Sequence, residues 1–488
     1  MCRSNNPIRH EQQALTIATA LLVGGWLWWL GQPAFPLDAA WIVTHAAEHW
    51  LGRVPGQFVG AAPLHGATSV VHVTLVAALG LLMPVPLAQL VLAGLATWAL
   101  VLGLHQLAAN LQLDRSWRLA LPLLGLLAAE TVGQLTNGLE TGLAMAAVSW
   151  LLARAVQNKP PSRGLLLGLG SLPFVRPELA ALSGLLTLQL LWRAPRTWRV
   201  LADCVLWLGL GAAPWLTVLW WQTGGVMAGT AGAKAAFFAE SCWPFVDRWH
   251  RWLGSVWAFV RQLGPLSIGV VGLLLGLGRL WPFVGFALLF GLAFLPTLPS
   301  GLYHNHFRYA HILLPVVLAG VAVLAARLPR RDWSRALPWL LVAAAALPVP
   351  GVLKRYAGDV AFDRTELTPV GQWLATGVPA KATVLVHDAG RIATLARQPL
   401  VDLVGLKTPW VVPLHRQALA SACPAHAGAA LPQIAGQSHA QYLVLLEQWD
   451  RLHHLQDTLR KAGWQLQRVD GERGESAYRV YALTPPVD

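Results

Sequence analysis

An α-helical polytopic membrane protein with a C-terminal soluble α/β domain is the fold class this 488-residue sequence predicts. Three observations carry the prediction. Charged residues make up 12% of the chain, about half the roughly 25% of soluble globular proteins. Hydrophobic residues make up 55%, and the mean hydropathy is +0.49. Apolar runs of membrane-spanning length recur as far as Val352 and then stop. The composition excludes a disordered chain, a fibrous protein and an ordinary cytosolic enzyme. Of 25 Trp, 21 precede residue 353, as expected of rings anchored at membrane interfaces.

The net charge of +13 does not point to nucleic acid. Up to Val352 there are 22 Lys/Arg against 11 Asp/Glu, and the remainder holds 14 against 12. The excess sits in short loops between apolar runs, which is a signal of topology. The first run, Ala14–Leu30, follows Arg3 and Arg9 and reads as an uncleaved span with its N-terminus in the cytoplasm. Later basic clusters fall at alternate loops: Arg115 and Arg118; Arg154, Lys159 and Arg163; Arg193, Arg196 and Arg199; Arg279; Arg327, Arg330, Arg331 and Arg335. With the N-terminus these hold 15 Lys/Arg, against 7 in the longer loops on the other side. The positive-inside rule places the richer set in the cytoplasm.

Eleven spans are expected, at 14–30, 86–108, 118–134, 141–156, 164–176, 178–192, 200–221, 264–279, 282–298, 311–327 and 336–352. The stretch 66–85 is apolar but would break the charge alternation, so it reads as a helix against the outer face. Residues 1–352 thus form the membrane domain, with 31–85 as its first outer loop and 353–488 as the tail. In the tail, strand-like pieces (Thr383–His387, Tyr442–Leu446, Tyr478–Leu483) alternate with helix-like ones (Val370–Thr376, Asp450–Ala462). An odd number of spans places the tail in the periplasm of a protein of the bacterial inner membrane.

Polar residues collect at the outer turns. Asp38 follows the first span, and beyond it Trp41, His45 and Glu48 share one helical face. Gly66-Ala-Thr68-Ser69 opens the second apolar stretch. Further turns carry Asn137-Gly-Leu-Glu140-Thr141, then Arg176-Pro-Glu178, then His304-Asn-His306-Phe-Arg308-Tyr309. Ionisable groups at span ends facing a bundle interior are functional candidates by default, and capping or interface roles are the plain alternative for any one of them. The set suits group transfer to an alcohol. A carboxylate takes the hydroxyl proton while arginines hold a phosphate leaving group. A phosphate carried on a lipid would present itself at this level. Phosphate-loop, Gly-x-Ser-x-Gly and His-x-x-Glu-His patterns are absent.

These residues resemble, in order along the whole chain, the GT-C superfamily of integral-membrane glycosyltransferases that use polyprenyl-phosphate sugars. The branch containing the mycobacterial terminal arabinofuranosyltransferases is the most similar. Asp38 in Leu37-Asp-Ala-Ala-Trp-Ile42 stands where the family keeps its first-loop acid. Gly66-Ala-Thr-Ser69, Asn137-Gly-Leu-Glu-Thr141, Arg176-Pro-Glu178 and Arg308-Tyr309 match that branch's later motifs. His387-Asp-Ala-Gly390 and Val401-Asp-Leu-Val-Gly-Leu406 echo its tail strands. Two departures stand out: many relatives carry two adjacent first-loop acids, and Pro55-Gly-Gln-Phe-Val59 replaces an Asn-x-Gly turn.

The resemblance implies transfer of a sugar from a polyprenyl-phosphate donor to a cell-envelope glycan or lipid acceptor. Asp38 would be the general base, and Glu140, the second catalytic candidate, would orient substrate or pair with Arg176. Arg176 and Arg308, helped by Arg53, would bind the donor phosphate. His45, Glu48, Thr68, Asn137, Glu178 and Tyr309 would contact substrate. His304 and His306 are the residues that would hold a divalent metal, with an interface role as the alternative. Cys242 and Cys423 both fall outside, where oxidation is permitted, and are expected to form a disulfide tying the large outer loop to the tail, with two unpaired thiols as the alternative. The rival class is a transporter or lipid-carrier flippase, whose repeat-related halves and broken mid-membrane helices are not evident here.

Overall fold

The computed structural model describes residues 7–30, 34–54, 57–157, 161–194, 197–329, 332–421, 423, 427–470 and 476–486. Arg3, Lys159, Arg196, Arg330 and Arg331 of the basic loops, and Pro55 and Gly56, lie outside the described residues.

The chain begins with α1 (Pro7–Leu30), and the first loop then forms α2 (Asp38–Trp50) and α3 (Val70–Gly80). Next come α4 (Val85–Asn110), α5 (Arg115–Leu127), α6 (Thr131–Thr136), α7 (Thr141–Ala155), α8 (Arg163–Val175) and α9 (Leu179–Arg193). The bundle continues with α10 (Trp198–Thr223), α11 (Thr230–Phe238), α12 (Phe245–Leu263), α13 (Gly269–Leu275) and α14 (Leu277–Phe294). A sharp turn, α15 (His304–Phe307), leads to α16 (Leu314–Ala325), α17 (Asp332–Ala346), α18 (Val349–Phe362) and α19 (Thr368–Gly377). Among the described residues five helical runs are long and apolar enough to cross a membrane, or six if the bent pair around α15 counts as one. The chain is a multi-pass membrane protein.

Long and short helices share the eleven expected spans unequally. The run expected at 118–134 breaks after Leu127, because Ala129 adopts a left-handed backbone (φ 52°) that no helix continues through. Arg279, expected in a loop, lies instead in the first turn of α14. Pro282 sits inside that helix and cannot donate to the carbonyl of Gly278, four residues back. Arg193 of α9 supplies the missing donor at 3.1 Å. The expected boundary at 352/353 falls inside α18, since the helical rod runs on to Gly377 before the first strand.

The tail sheet has the order β2-β1-β3-β5-β4. Its strands are β1 (Val384–Val386), β2 (Leu400–Asp402), β3 (Tyr442–Leu446), β4 (Gln465–Arg468) and β5 (Tyr478–Thr484). β1 pairs parallel with β2 and β3, while β5 runs antiparallel to β3 and β4. β1 and β3 read as uninterrupted apolar runs because both faces are covered. α20 (Arg391–Leu395) follows β1, with α21 (Val411–Ser421), α22 (Leu431–Gln437), α23 (Glu447–His453) and α24 (Leu455–Lys461) completing the layers. The first loop adds to the β2 edge: Leu400 donates to Gln57 O at 2.9 Å, and Val59 donates to Leu400 O at 3.1 Å. Cys242 and Cys423 are bonded, with Cα atoms 5.5 Å apart, so the segment before α12 is also tied to the tail.

Candidate active site

Helix ends build the charged cluster. Glu140 is the N-cap of α7, Arg176 the C-cap of α8 and Glu178 the N-cap of α9. Pro173 ends α8 by leaving the Leu169 carbonyl without its helical donor, and Ser183 Oγ of α9 takes that carbonyl at 2.8 Å. The 176–178 turn is thereby fixed. Arg308 arrives from α15, where Asn305, His306 and Phe307 are three successive non-glycine residues with positive φ. Gln134 holds this turn by donating to Asn305 O (3.0 Å) and His306 O (3.1 Å). Such an over-determined strained turn is typical of functional sites.

The result is a buried ionic group. Arg308 Nη2 donates to Glu140 Oε1 at 2.9 Å, and Arg176 Nε lies 3.8 Å from the same oxygen. Arg176 Nη2 also donates to Glu178 at 2.9 Å. The Tyr309 ring lies under both guanidiniums, 5.3 and 5.5 Å from their carbons, and Lys234 Nζ donates to its hydroxyl at 2.9 Å. Relative exposures of 0% for Arg176, 3% for Arg308 and 2% for Glu140 place the charges out of water. Three cations face two carboxylates. Arg176 Nη1 and Arg308 Nε are left without a hydrogen-bond partner among the described residues. A buried guanidinium with spare donors and a surplus positive charge is suited to receive an anion.

Asp38 lies elsewhere on the same wall. Gln89 Nε2 donates to both Ala40 O (3.1 Å) and Gly138 O (2.9 Å), so the first turn of α2 packs against the turn that precedes Glu140. The Asp38 carboxylate itself points to the tail, accepting the backbone N–H of Gly390 at 2.9 Å and of Arg391 at 2.6 Å. Arg391 stacks over Trp41 at 4.0 Å. Burial, reinforced by the nearby Asp388, pushes the Asp38 carboxyl well above the usual carboxylate range. For Asp388 itself burial acts upward, but His387 and the Tyr478 hydroxyl outweigh it and hold that carboxyl low. The tail thus adds an acid and an arginine beside Asp38.

The other expected residues separate into neighbours and bystanders. Asn137 shapes the turn, its side chain bonding Gln134 and the Leu139 N–H at 3.0 Å each. Arg53 is not in the cluster; its guanidinium is captured by the Gly80 carbonyl at the C-terminal end of α3 (2.6 Å) and lies 3.9 Å from Glu48. Thr68 meets Thr230 at 3.2 Å. Its neighbour Ser69 caps α3 and donates to Phe174 O at 3.2 Å, joining that helix to the end of α8. His45 is buried edge-on to Phe58, and burial, with Lys407 and His49 nearby, lowers its imidazole to about 3. His304 stacks on Tyr309, while His306 faces Asp359 at 3.2 Å. Among the described residues no three His, Cys, Asp or Glu side chains group as a metal site, so these histidines do not fit one.

Lys234, Gln134, His72, Arg391 and the Glu130–Arg355 ion pair were not among the site residues expected from sequence, and Asp388 was marked only as part of the His387–Gly390 motif. The pair stands where two cavities meet. A lateral cleft of about 530 Å³ is lined by Ala128, Arg261, Leu266, Ala345 and Arg355. A small cavity of about 20 Å³ continues past Gln134 and Asn137 to Leu37, beside Asp38.

A mutant form of the arabinofuranosyltransferase AftD from Mycobacteria superposes with a TM-score of 0.50 over 98% of this chain, at 16% identity. The chain has the GT-C fold. It spans about 42% of that enzyme's length, and at this identity the likeness is one of fold. ArnT from Cupriavidus metallidurans, solved with undecaprenyl phosphate, gives a TM-score of 0.48 at 13% identity, covering 96% of this chain and 97% of its own. The apo oligosaccharyltransferase of Archaeoglobus fulgidus gives 0.49 at 11% identity, covering 98% and 75%. A family model described as a domain of unknown function, DUF8728, matches residues 358–481. No curated protein matches it.

Proposed function

We propose that this chain is a glycosyltransferase that moves a sugar from a polyprenyl-phosphate donor to a hydroxyl of a cell-envelope glycan or lipid. The observation that carries the reading is the buried Arg176–Glu140–Arg308 group with its two unused guanidinium donors. Desolvated arginines hold a phosphate more strongly than exposed ones, because little water competes for it. The cleft flanked by α17 and α18 supports entry of an apolar tail from the bilayer, with Arg355 at its inner end.

In the reaction the acceptor oxygen attacks the anomeric carbon. The bond from that carbon to the phosphate oxygen breaks, and polyprenyl phosphate leaves with the electron pair. Asp38 takes the hydroxyl proton, a role worth roughly 10²–10⁴-fold. Burial and the nearby Asp388 raise its proton affinity, which makes the ionised carboxylate a stronger base. Arg176 and Arg308 stabilise the extra negative charge on the leaving phosphate. Glu140 and Glu178 hold the guanidiniums in place between turnovers. His45, Glu48, Thr68 and Asn137 belong to the walls around the acceptor side, and the tail orients the acceptor.

Donor binding tests the reading. Arg176→Ala should weaken binding of a polyprenyl-phosphate sugar by about tenfold or more, and Arg176→Lys should restore it only in part, since a point charge replaces a fork of donors. Unchanged affinity in Arg176→Ala would remove the phosphate from this site.

A further inference from the structure

We infer that the end of the bundle opposite Asp38 carries a binding site for an anionic phospholipid. α7, α8 and α9 each place a residue of the buried ionic group at one end and an arginine at or next to the other: Arg154, Arg163 and Arg193. These helices have 15, 13 and 15 residues. At about 1.5 Å per residue they are roughly 20–23 Å long, well short of a hydrocarbon core of about 30 Å. With the buried ionic group at the outer membrane level expected from the sequence, their arginines lie deeper than the surrounding headgroups, and the bilayer must thin or a headgroup must sink to meet them.

The space for such a headgroup is present. A cavity of about 610 Å³ opens between the ends of α7, α8, α9 and α10. Its rim holds Arg154, Arg163 and Arg193 against one acid, Asp203, and its walls are apolar. α8 and α10 are pinned together beside the cavity. Gly170 and Gly211 approach so closely that a Cβ on either would fall 2.1 Å from a carbonyl oxygen of the other helix. Asp203 accepts from Trp207 at 3.1 Å, Arg163 lies over the Trp207 ring at 5.1 Å, and Arg193 spends one donor on Gly278. A net positive rim over an apolar chamber open to lipid selects a headgroup phosphate with its acyl chains still attached. On the topology expected from charge, this is the cytoplasmic leaflet.

Native mass spectrometry of the full chain in detergent, with phosphatidylglycerol and phosphatidylcholine of identical acyl chains, tests the site. Wild type should retain phosphatidylglycerol about tenfold better than phosphatidylcholine. Arg163→Gln combined with Arg193→Gln should abolish the preference, and Ala155→Phe, which fills the cavity and keeps every charge, should lower retention as well. Should the arginine variant fail to fold, the Ala155 variant decides. Equal retention of the two lipids by wild type, or undiminished phosphatidylglycerol on the folded variants, overturns the proposal. Displacement of the lipid by millimolar inorganic phosphate would make this a free-anion site and also overturn it.

Discussion

Asp38 and Arg391, 353 positions apart in the chain, meet at 2.6 Å, the carboxylate of one accepting the backbone N–H of the other. The first acid of the first loop is therefore held by the opening turn of a tail helix. Any chemistry at Asp38 depends on that docking.

The first prediction concerns Asp38 as a base. Asp38→Asn keeps the shape and an acceptor oxygen but removes basicity, so turnover should fall by roughly 10²-fold or more with donor binding near normal. A base must be ionised to act. Because burial and then Asp388 raise the Asp38 carboxyl, the acid limb of the kcat/KM profile should lie above the ordinary carboxylate range. Asp388→Asn removes a negative neighbour, so Asp38 holds its proton less tightly and the limb should move to lower pH. Profiles that superpose would separate Asp388 from the reaction. Wild-type turnover in Asp38→Asn with a dead Glu140→Gln would instead make Glu140 the base.

The second prediction tests the docking itself. A Cβ on Gly390 would fall 2.1 Å from the Asp38 carbonyl oxygen and 2.8 Å from the Ile42 nitrogen. Both are backbone atoms of α2, and neither can swing away. Gly390→Ala should therefore lift the tail from α2, seen as faster proteolysis of the tail and a loss of turnover comparable to that of Asp38→Asn. Wild-type protease resistance in Gly390→Ala would show that the junction tolerates the methyl group.

How far the site was legible follows from how local each signal is. Glu140, Arg176 and Glu178 sit in short turns at helix ends, where a polar residue between apolar runs is conspicuous. Arg308 was found in the same way. Their convergence on one carboxylate is tertiary, and sequence offered it only as a shared membrane level. Arg53 shows the limit, since an equally conspicuous arginine is consumed by the Gly80 carbonyl. Asp388, Arg391 and Arg355 lay beyond the point where apolar runs stop, so nothing local linked them to the first loop. In the tail, β1 and β3 were plain as apolar, β-branched runs and β5 from its alternation, whereas β2 ends on a buried Asp402 and β4 holds a single apolar residue, so neither carries a strand pattern.

The third prediction is that oxidation holds the tail. The Cys242–Cys423 bond closes a sequence separation of 181 residues, and such links typically contribute about 2–4 kcal/mol. Cys423→Ser should lower the melting temperature and make the tail loops near Gly436 more accessible to protease, with reductant reproducing the effect in wild type. Peptide mapping without reductant should recover the two cysteines linked, which also requires an oxidising compartment on the tail side. Two free thiols in protein isolated from native membranes would place the tail on the other side.

The last prediction concerns Lys407, which is 1% exposed where the tail meets the first loop. Its Nζ donates to Pro63 O at 3.3 Å and lies 5.6 Å from the centre of the Phe58 ring. Burial lowers its ammonium from 10.5 to about 7, with Asp402 opposing. The sign follows from proton counting. Between about pH 7 and 10.5 the unfolded chain keeps the proton that the folded chain has released, so stability rises with pH across that window. Below pH 7 both states are protonated and the full cost of burying the charge remains. Lys407→Met keeps the volume and removes the charge, so it should melt a few degrees above wild type at pH 6–7. The gap should then narrow steadily toward pH 10. Melting curves of the two proteins that stay parallel from pH 6 to pH 10 would mean that Lys407 titrates as it does in water and that the junction is open to solvent there.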